Sequence, residues 1–354
     1  MKKLTANDLL RDGVFFCLKE KSSSQISICM AESLEEAGIP VSSNINYYEK
    51  SYDDNSFLFN KNKILPGDAA LILLDISFMS NGLSIVELPS VLVQNQNKMI
   101  FISSADTNPM IIPSKLVPST SDAIPIIATH ENIFYRLYNN RRIPWGFGIT
   151  KKDLFLVNKN MNTNKRKRTI LRNFTASSNQ DVRNSLDLFL LQNLIATFEI
   201  DSEINYTNHF SRLSKYLMCA TYGGTYYADL FQQKNSHFTR NYEKQADCLK
   251  NPVILRWDSY RTGQTMASGC AAIHLDYDEC GFKLPCDNPK NWIEYIGISP
   301  NNICDDIKKI KELSNDEIQE IGARGKEWFL AKFSPMNLSE ILIDILTTPE
   351  MYYI

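Results

Sequence analysis

Along the first part of the chain, short apolar runs alternate with segments whose apolar residues have helical spacing. Gly13–Lys19 is a short apolar run, and Gln25–Ala37 places apolar residues three and four positions apart before Gly38. The alternation continues with predicted strands at Ile39–Tyr48, Ala69–Ile76, Met99–Ser103 and Pro125–Thr129 and predicted helices at Leu83–Gln96 and Ile133–Asn139. Strands alternating with helices are typical of a parallel sheet covered on both faces, so the pattern predicts a doubly wound α/β domain.

The periodicity weakens between Arg141 and Arg168 and then resumes, which indicates a domain boundary near residue 150. Beyond it the pattern predicts strands at Thr169–Phe174, Val253–Trp257 and Cys270–Asp276, helices at Asp181–Ala196, Arg261–Ser268, Asn301–Lys311 and Asn315–Phe333, and a helix running into a strand at Ser211–Cys219. We therefore predict two α/β domains in tandem, residues 1–150 and 151–335. A last helix at Met336–Leu346, within residues 336–354, is expected to pack back toward the first domain.

Composition and charge narrow the class of protein. The 354 residues include 38 basic and 40 acidic side chains, a formal net charge of -2, which disfavours a protein that mainly coats nucleic acid or an anionic membrane. The basic run Lys165–Arg168 is interpreted as a solvated interdomain linker, with nucleic-acid contact as the alternative. No apolar stretch approaches the ~18 residues that a membrane span needs.

The eight cysteines are scattered and lack the two-residue spacing of zinc or redox motifs. No signal peptide is recognisable at the N-terminus. We therefore expect reduced, buried thiols, a cytoplasmic location and no resident metal, although a disulfide between Cys280 and Cys286 would fit an oxidising compartment. His209 and His237 have no partner at metal-ligand spacing, and His274, inside a predicted strand, is expected to be a core histidine.

The segment Asp258–Pro285 carries the clearest chemical signal. A polar loop leads into a short helix, a small-residue turn at Ala267–Gly269 and a buried strand that ends in acidic residues. The N-terminus of a helix presents unpaired N–H groups and a partial positive charge to a phosphate. Ser259, Arg261 and Thr262 stand where they can add charge-assisted hydrogen bonds, and Gln264 where it can reach sugar hydroxyls.

This segment resembles the C-terminal half of nucleotide-sugar glycosyltransferases with the two-domain GT-B fold, most closely the exostosin-like and related bacterial families. The resemblance extends upstream through Asn205–Tyr222 to the Gly223–Gly224 loop and downstream through Gly281–Pro285 and Asn291–Ile298, about Lys167–Phe333 in all. It implies two Rossmann-like domains with the C-terminal helices packing back across the cleft. The chain departs from the family pattern in having Gln264 where a Glu is common, and in the long insertion after the glycine loop, Thr225–Asn251.

The resemblance also implies a donor site in the C-terminal domain. Its residues would be Gly223, Gly224, Ser259, Tyr260, Arg261, Thr262 and Gln264. Arg172 lies toward the end of the first predicted strand of that domain, at the rim where donor phosphates would lie, with a surface salt bridge as the alternative. Helix dipoles and basic side chains can stabilise a diphosphate leaving group, so we expect no metal cofactor.

A catalytic base is expected in the N-terminal domain, at the carboxyl ends of its strands. Asp75 ends one predicted strand and Asp106 follows another, while His130 and Glu131 follow the strand Pro125–Thr129. For each of them a helix cap or a hydrogen-bonded structural residue is the alternative.

The sequence thus predicts a glycosyltransferase that moves a sugar from a nucleotide diphosphate sugar to an acceptor hydroxyl in the interdomain cleft. The acceptor is expected to be a glycan or another hydroxyl acceptor, and a modified nucleic-acid base is the alternative. A GT-B-fold sugar epimerase or phosphorylase is a second candidate class, and a non-catalytic carbohydrate- or nucleotide-binding partner subunit is a third.

Overall fold

The computed structural model describes residues 4–18, 25–45, 60–61, 64–75, 90–103, 124–133, 141–161, 165–174, 181–204, 208–227 and 253–353. The chain divides into two compact units. The first unit contains the residues up to Glu131, the stretch that ends at Lys151, and the C-terminal segment from Ala331. The second unit contains Lys152–Leu330 and a short separate stretch that begins at Asn132.

The first unit is built on a parallel sheet, as the sequence predicts. Its strands are β1 Val14–Cys17, β2 Val41–Ser43, β3 Asn60–Lys61, β4 Leu71–Asp75, β5 Met99–Ser103, β6 Ile126–Ala128 and β7 Arg142–Pro144. Within the described ranges the sheet has seven strands in the order β3-β2-β1-β4-β5-β6-β7, and all neighbours are parallel. Every residue of β1, β4 and β5 is buried, since helices cover both faces of such a sheet.

Strand β7 lies in Arg141–Asp153, where weak periodicity predicted no element, and that interpretation was wrong. Three residues are too few to show a period, and Ile143 is recognisable as a strand residue only through its pairing with Ile127.

The helices of the first unit are α1 Ala6–Asp12, α2 Gln25–Glu36, α3 Ser90–Gln94 and α11 Pro335–Thr347, with 3-10 turns at Gln96–Lys98 and Pro349–Tyr352. Helix α2 is buried continuously from Ile26 to Leu34, and α11 packs along it. The predicted last helix therefore forms, and it belongs to the first unit. Most of the helix predicted at Ile133–Asn139, and the first half of the one at Leu83–Gln96, lie outside the described residues.

The second unit is built on its own parallel sheet. Its strands are β8 Lys167–Leu171, β9 Glu199–Asp201, β10 Tyr216–Ala220, β13 Ala271–Leu275 and β14 Ile296–Ile298. In the described part of the chain they follow the order β14-β13-β10-β8-β9, all parallel. The sequence predicts β8, β10 and β13. Strands β9 and β14 were missed because each has only three residues.

Val253–Trp257 was predicted as a strand of this parallel sheet, and that prediction was wrong. Its first three residues form β12 Val253–Leu255, which pairs antiparallel with β11 Thr225–Tyr227 in a separate two-stranded sheet. An apolar run of this length looks the same in either sheet, so the sequence could not distinguish them.

The helices of the second unit are α4 Lys151–Lys159, α5 Asp181–Leu186, α6 Gln192–Leu194, α7 His209–Lys215, α8 Tyr260–Ala267, α9 Ile303–Glu312 and α10 Asn315–Phe333. A π-helical segment, Asp187–Leu191, separates α5 from α6, so the single helix predicted at Asp181–Ala196 is interrupted. The predicted passage from helix directly into strand at Ser211–Cys219 is confirmed by α7 and β10.

The basic run Lys165–Arg168 is not a solvated linker, which corrects the interpretation of the sequence. Arg166 donates hydrogen bonds to the carbonyl oxygens of Leu213, Tyr216 and Ser268 at 2.5, 2.9 and 2.6 Å. Arg168 donates to Asn315 Oδ1 at 2.7 Å and also lies over the Phe198 ring. Strand β8 begins inside the run, so its basic residues are part of the folded second unit. Two of them, Arg166 and Arg168, connect elements of that unit through hydrogen bonds.

The remaining sequence expectations concern cysteines and membranes. None of the seven cysteines in the described ranges forms a disulfide, so no such bond joins Cys280 to Cys286. No helix in the described part of the chain is both long and apolar enough to span a bilayer. His274 is fully buried in β13, as predicted for a core histidine.

Candidate functional site

The candidate site lies at the carboxyl edge of the second sheet, where the N-terminus of α8 is placed. Helix α8 connects through Ser268–Cys270 to the start of β13, so its first turn lies at the opposite edge, where β13 ends. Side chains that follow parallel strands meet at this same edge, which is the usual place for a ligand site in an open α/β sheet.

The first turn of α8 has the features expected of an anion site. Ser259 caps the helix, and its hydroxyl accepts a hydrogen bond from the backbone N–H of Arg261 at 3.3 Å. The Arg261 guanidinium lies over the Tyr260 ring, 5.2 Å from its centroid, and forms no ion pair with a carboxylate in the described ranges. One carboxylate lies close by, because Asp258 Oδ1 accepts from the Ser259 N–H at 2.7 Å.

Thr262, in the same turn, carries a buried hydroxyl. The residue is 4% exposed, and its Oγ1 has no hydrogen-bond partner among the residues that the structure describes. Leaving a buried hydroxyl unpaired costs roughly 1–3 kcal/mol. The Thr265 hydroxyl, one turn further along α8, is also buried without a partner in the described ranges, but only Thr262 lies in the first turn.

Gly223 and Gly224 follow β10 at the same edge and have close neighbours. Gly224 has φ 119°, a conformation that favours glycine. A β-carbon at Gly223 would lie 3.4 Å from Nη2 of Arg183 and 3.7 Å from the carbonyl oxygen of Arg256. Arg256 itself has φ 60°, a rare and costly value for a residue with a side chain.

Arg172, predicted to reach donor phosphates, is engaged inside the second unit. Its guanidinium donates to Asp187 Oδ2 at 2.8 and 2.5 Å and lies 4.6 Å from the centroid of the Phe174 ring. The Tyr222 hydroxyl donates to the other oxygen of Asp187 at 2.8 Å, and Arg183 lies 4.7 Å from the Phe174 ring. The salt bridge named as the alternative is thus present, although it is mostly buried rather than on the surface.

Gln264 belongs to a chain of buried polar side chains that also contains Asn173, His209 and Asp153. Its Nε2 donates to Asp153 Oδ2 at 2.7 Å, and its Oε1 lies 3.1 Å from His209 Nε2. The other ring nitrogen of His209 lies 3.0 Å from Asn173 Nδ2. All four residues are at most 8% exposed. The amide of Gln264 is thus engaged on both sides, a geometry that the sequence did not predict.

Burial lowers the pKa of His209 to about 4, and the positive charges of Arg261 and Arg212 act in the same direction, while the hydrogen bond to Gln264 opposes them. His209 is therefore neutral at physiological pH. Burial likewise raises the pKa of the Cys219 thiol to about 11, against the opposing charge of Arg261. Cys219 is accordingly a buried thiol rather than a nucleophile.

In the first unit, the predicted base candidates lie at the carboxyl edge of its sheet. Asp75 ends β4 and is fully buried, and His130 follows β6 with φ 65° and an edge contact to Phe147 at 5.6 Å. Glu131 forms a buried ion pair with Arg142, whose Nε donates to it at 2.7 Å. Asp106 lies outside the described residues. The role of each as a base stays a prediction.

Sequence reasoning missed Arg183, Asn173 and Asp153, and it considered His209 only as a metal ligand. Their signal was weak. Asp153 lies in a helix that was not predicted, Asn173 follows the end of β8, and Arg183 and His209 lie in the short helices α5 and α7, where the sequence pattern does not show which side chains face the site. In the described ranges, no group of three or more His, Cys, Asp and Glu side chains is placed to hold a metal ion.

By sequence, no protein-family model and no curated protein matches this chain, so the exostosin-like resemblance stays a prediction. By structure, it is similar to an alpha-glucosyltransferase solved in complex with UDP and a 13-mer DNA containing a central A:G mismatch. That similarity covers 94% of this chain and 98% of the other at 11% identity, with a TM-score of 0.50. A glycosyltransferase from Rickettsia africae ESF-5 aligns over 99% of both chains at 10% identity, with a TM-score of 0.47. The similarity to the alpha-glucosyltransferase shows that the two parallel-sheet α/β units have a GT-B-like glycosyltransferase fold.

Proposed function

We propose that this protein is a glycosyltransferase that moves a sugar from a nucleotide diphosphate sugar to an acceptor hydroxyl. The second unit would hold the donor and the first unit would present the acceptor and the catalytic base. The observation that carries the proposal is the Arg261 guanidinium at the first turn of α8, which forms no ion pair in the described ranges, together with the neighbouring Thr262 hydroxyl, which is buried and lacks a hydrogen-bond partner there. A donor phosphate oxygen at the first turn of α8 would satisfy both groups.

The chemistry follows from where charge develops. When the bond between the anomeric carbon and the diphosphate oxygen breaks, the leaving group gains negative charge, and the acceptor oxygen forms the new bond to that carbon. The N-terminus of α8 and Arg261 would stabilise the leaving diphosphate, so no metal ion is needed in this scheme. In an inverting reaction the acceptor proton passes to a base, for which we propose Asp75 or His130.

Glu131 is a weaker candidate for the base. Its carboxylate is buried against Arg142, and both side chains are at most 5% exposed. A carboxylate held by a guanidinium in this way stabilises the fold around β6 and β7, and releasing it to accept a proton would leave Arg142 unpaired.

The acceptor is proposed to be a carbohydrate or another small hydroxyl compound. The DNA bound to the structural relative makes a nucleic-acid base the second choice. Because Arg166 and Arg168 are bound inside the second unit, the basic run that suggested nucleic-acid contact has only Lys165 and Lys167 exposed. The free thiols are consistent with a reducing compartment, and we propose a cytoplasmic location.

The first experiment measures binding of UDP, GDP, CMP, dTDP and their common sugars by calorimetry and thermal shift, with and without magnesium. UDP is the first probe because it is bound in the structural relative. We then compare Thr262→Val with the wild type. Valine removes an unpaired buried hydroxyl without changing its shape, so the free protein should keep or gain stability, while nucleotide affinity falls roughly tenfold or more.

Arg324→Ala provides the control, because Arg324 is an exposed residue of α10 and its removal takes away one positive charge from the same unit. It should bind the nucleotide as the wild type does. The proposal would be contradicted if none of the nucleotides bound to the wild type, or if Thr262→Val bound the nucleotide with unchanged affinity. Conversion of a nucleotide sugar without an acceptor would instead favour an epimerase or phosphorylase, and binding without any transfer would favour a partner subunit.

A further inference from the structure

The buried chain that links Asn173, His209, Gln264 and Asp153 has a defined direction. The Asp153 carboxylate can only accept a hydrogen bond when ionised, so the atom of Gln264 that faces it at 2.7 Å must be the amide nitrogen. The amide oxygen of Gln264 then faces His209 Nε2 at 3.1 Å and requires a proton on that nitrogen. Neutral His209 therefore carries its proton on Nε2 and accepts at Nδ1 from the Asn173 amide.

Two of the three links reach α8 directly, and the third joins the segment after β8 to α7. Asp153 stands in the first turn of α4, His209 begins α7, and Asn173 follows β8. Gln264 lies two residues after Thr262, and its two engaged amide atoms bind α8 to α4 and to α7. A buried amide with a partner on each side has one low-energy orientation, so the chain fixes the position of the helix turn that carries Arg261 and Thr262.

We propose that Gln264 and His209 are positioning residues that hold the phosphate-binding turn of α8, and that Gln264 does not contact the nucleotide. This rests on the proposed donor site at that turn. It replaces the prediction from the sequence that Gln264 reaches sugar hydroxyls. A ribose contact would need Gln264 to point outward, whereas its side chain lies among residues that are at most 8% exposed.

Because charged groups surround His209, the pKa and tautomer of this histidine report on the buried hydrogen-bond chain without any ligand. Arg261 and Arg212 act on His209 directly, and the Asp153 carboxylate acts through Gln264. The protein has four histidines, so the ring nitrogens of His209 can be identified by NMR through a His209→Gln spectrum. In the wild type we expect the Nε2–H tautomer and no protonation of His209 above about pH 5.

The discriminating variant is Gln264→Glu. Glutamate cannot donate to Asp153 and places a second carboxylate against it, so the pKa of His209 should rise toward or above its ordinary value near 6.5. The misplaced turn should weaken UDP binding roughly tenfold or more and leave uridine binding within about twofold, because uridine has no phosphate. If Gln264 contacted the ribose, glutamate would serve as an acceptor there too, and UDP and uridine would respond alike.

Gln192→Glu is the matched control, since Gln192 is exposed on α6 and the substitution adds the same charge to the same unit. It should change neither the pKa of His209 nor UDP binding. The proposal is overturned if wild-type His209 carries its proton on Nδ1 or titrates near pH 6.5, which is testable even when Gln264→Glu does not fold. It is also overturned if UDP and uridine lose affinity equally. If no nucleotide binds the wild type, the proposed function fails, while the NMR result still tests the hydrogen-bond chain.

Discussion

Gly322 of α10 packs directly against Gly269, the residue that joins α8 to β13. A β-carbon at Gly322 would collide with the carbonyl oxygen of Gly269 and would lie 3.0 Å from the backbone nitrogen of Ala271. Gly269 itself has φ 71°, which a residue with a side chain adopts only with strain. The small-residue turn thus lets α10 approach the start of β13.

Gly322→Ala should therefore destabilise the protein. In an exposed helix position, glycine to alanine stabilises by roughly 0.5–1 kcal/mol, but here the backbone must move, and we expect a net loss of about 1–3 kcal/mol. Ala323→Gly is the control, because Ala323 is exposed and its loss should cost about 1 kcal/mol through helix propensity alone. Urea unfolding measures both, and a stabilised Gly322→Ala would refute the close packing.

The turn at Ala267–Gly269 shows which features of α8 could be predicted from the sequence. The sequence predicted a small-residue turn at Ala267–Gly269 after the helix, and the structure places this turn at the C-terminal end of α8, opposite the capped first turn. Its small residues serve packing against α10, while Ser259, Arg261 and Thr262 carry the anion-site features. The order of strand and helix predicted the fold, but which end of α8 faces a ligand depends on chain direction within the sheet.

Long, apolar elements were predictable because burial on both faces leaves a clear pattern. Met99–Ser103 was predicted with its observed bounds, and α11 was placed within one residue at each end. The hydrogen-bond chain through His209 was not predictable, since its members come from four separate elements and only tertiary packing brings them together. Likewise, nothing in Lys165–Arg168 reveals that two of its charges point to backbone carbonyls.

Arg166→Met should destabilise the protein by about 2–4 kcal/mol. The guanidinium satisfies the carbonyl oxygens of Leu213, Tyr216 and Ser268, and methionine fills the space without donating to any of them. Lys165→Met, at an exposed neighbouring position, should change the free energy of unfolding by less than about 0.5 kcal/mol. Equal effects of the two variants in urea unfolding would show that Arg166 has no structural role.

His209 and His274, two of the three buried histidines in the described ranges, should make the fold sensitive to acid. Burial lowers the pKa of both His209 and His274 to about 4, whereas the unfolded chain protonates histidine near pH 6.5. The unfolded state therefore binds more protons between those values, and stability falls as the pH drops through that window. Each histidine should contribute a loss of about 2 kcal/mol between pH 8 and pH 5.

The variant His274→Gln separates the two contributions. Its absolute stability will change, because the ring nitrogens lie 3.1 and 3.0 Å from the carbonyl oxygens of Leu275 and Trp257. The informative quantity is the slope of the unfolding free energy against pH from 6.5 to 5, which should be smaller than in the wild type by the contribution of one histidine. A slope identical to that of the wild type would mean that His274 does not titrate in this window.

The buried pair of Glu131 and Arg142 offers a test that separates structure from catalysis. Glu131→Gln and Arg142→Met should each destabilise the first unit by about 3–5 kcal/mol, because each removes the ion-pair partner of a buried charge. The double variant Glu131→Gln with Arg142→Met should lose clearly less than the sum of the two, since the interaction can be broken only once. If Glu131 were instead the catalytic base, Glu131→Gln would abolish transfer with little change in stability, and the double-variant cycle would be additive.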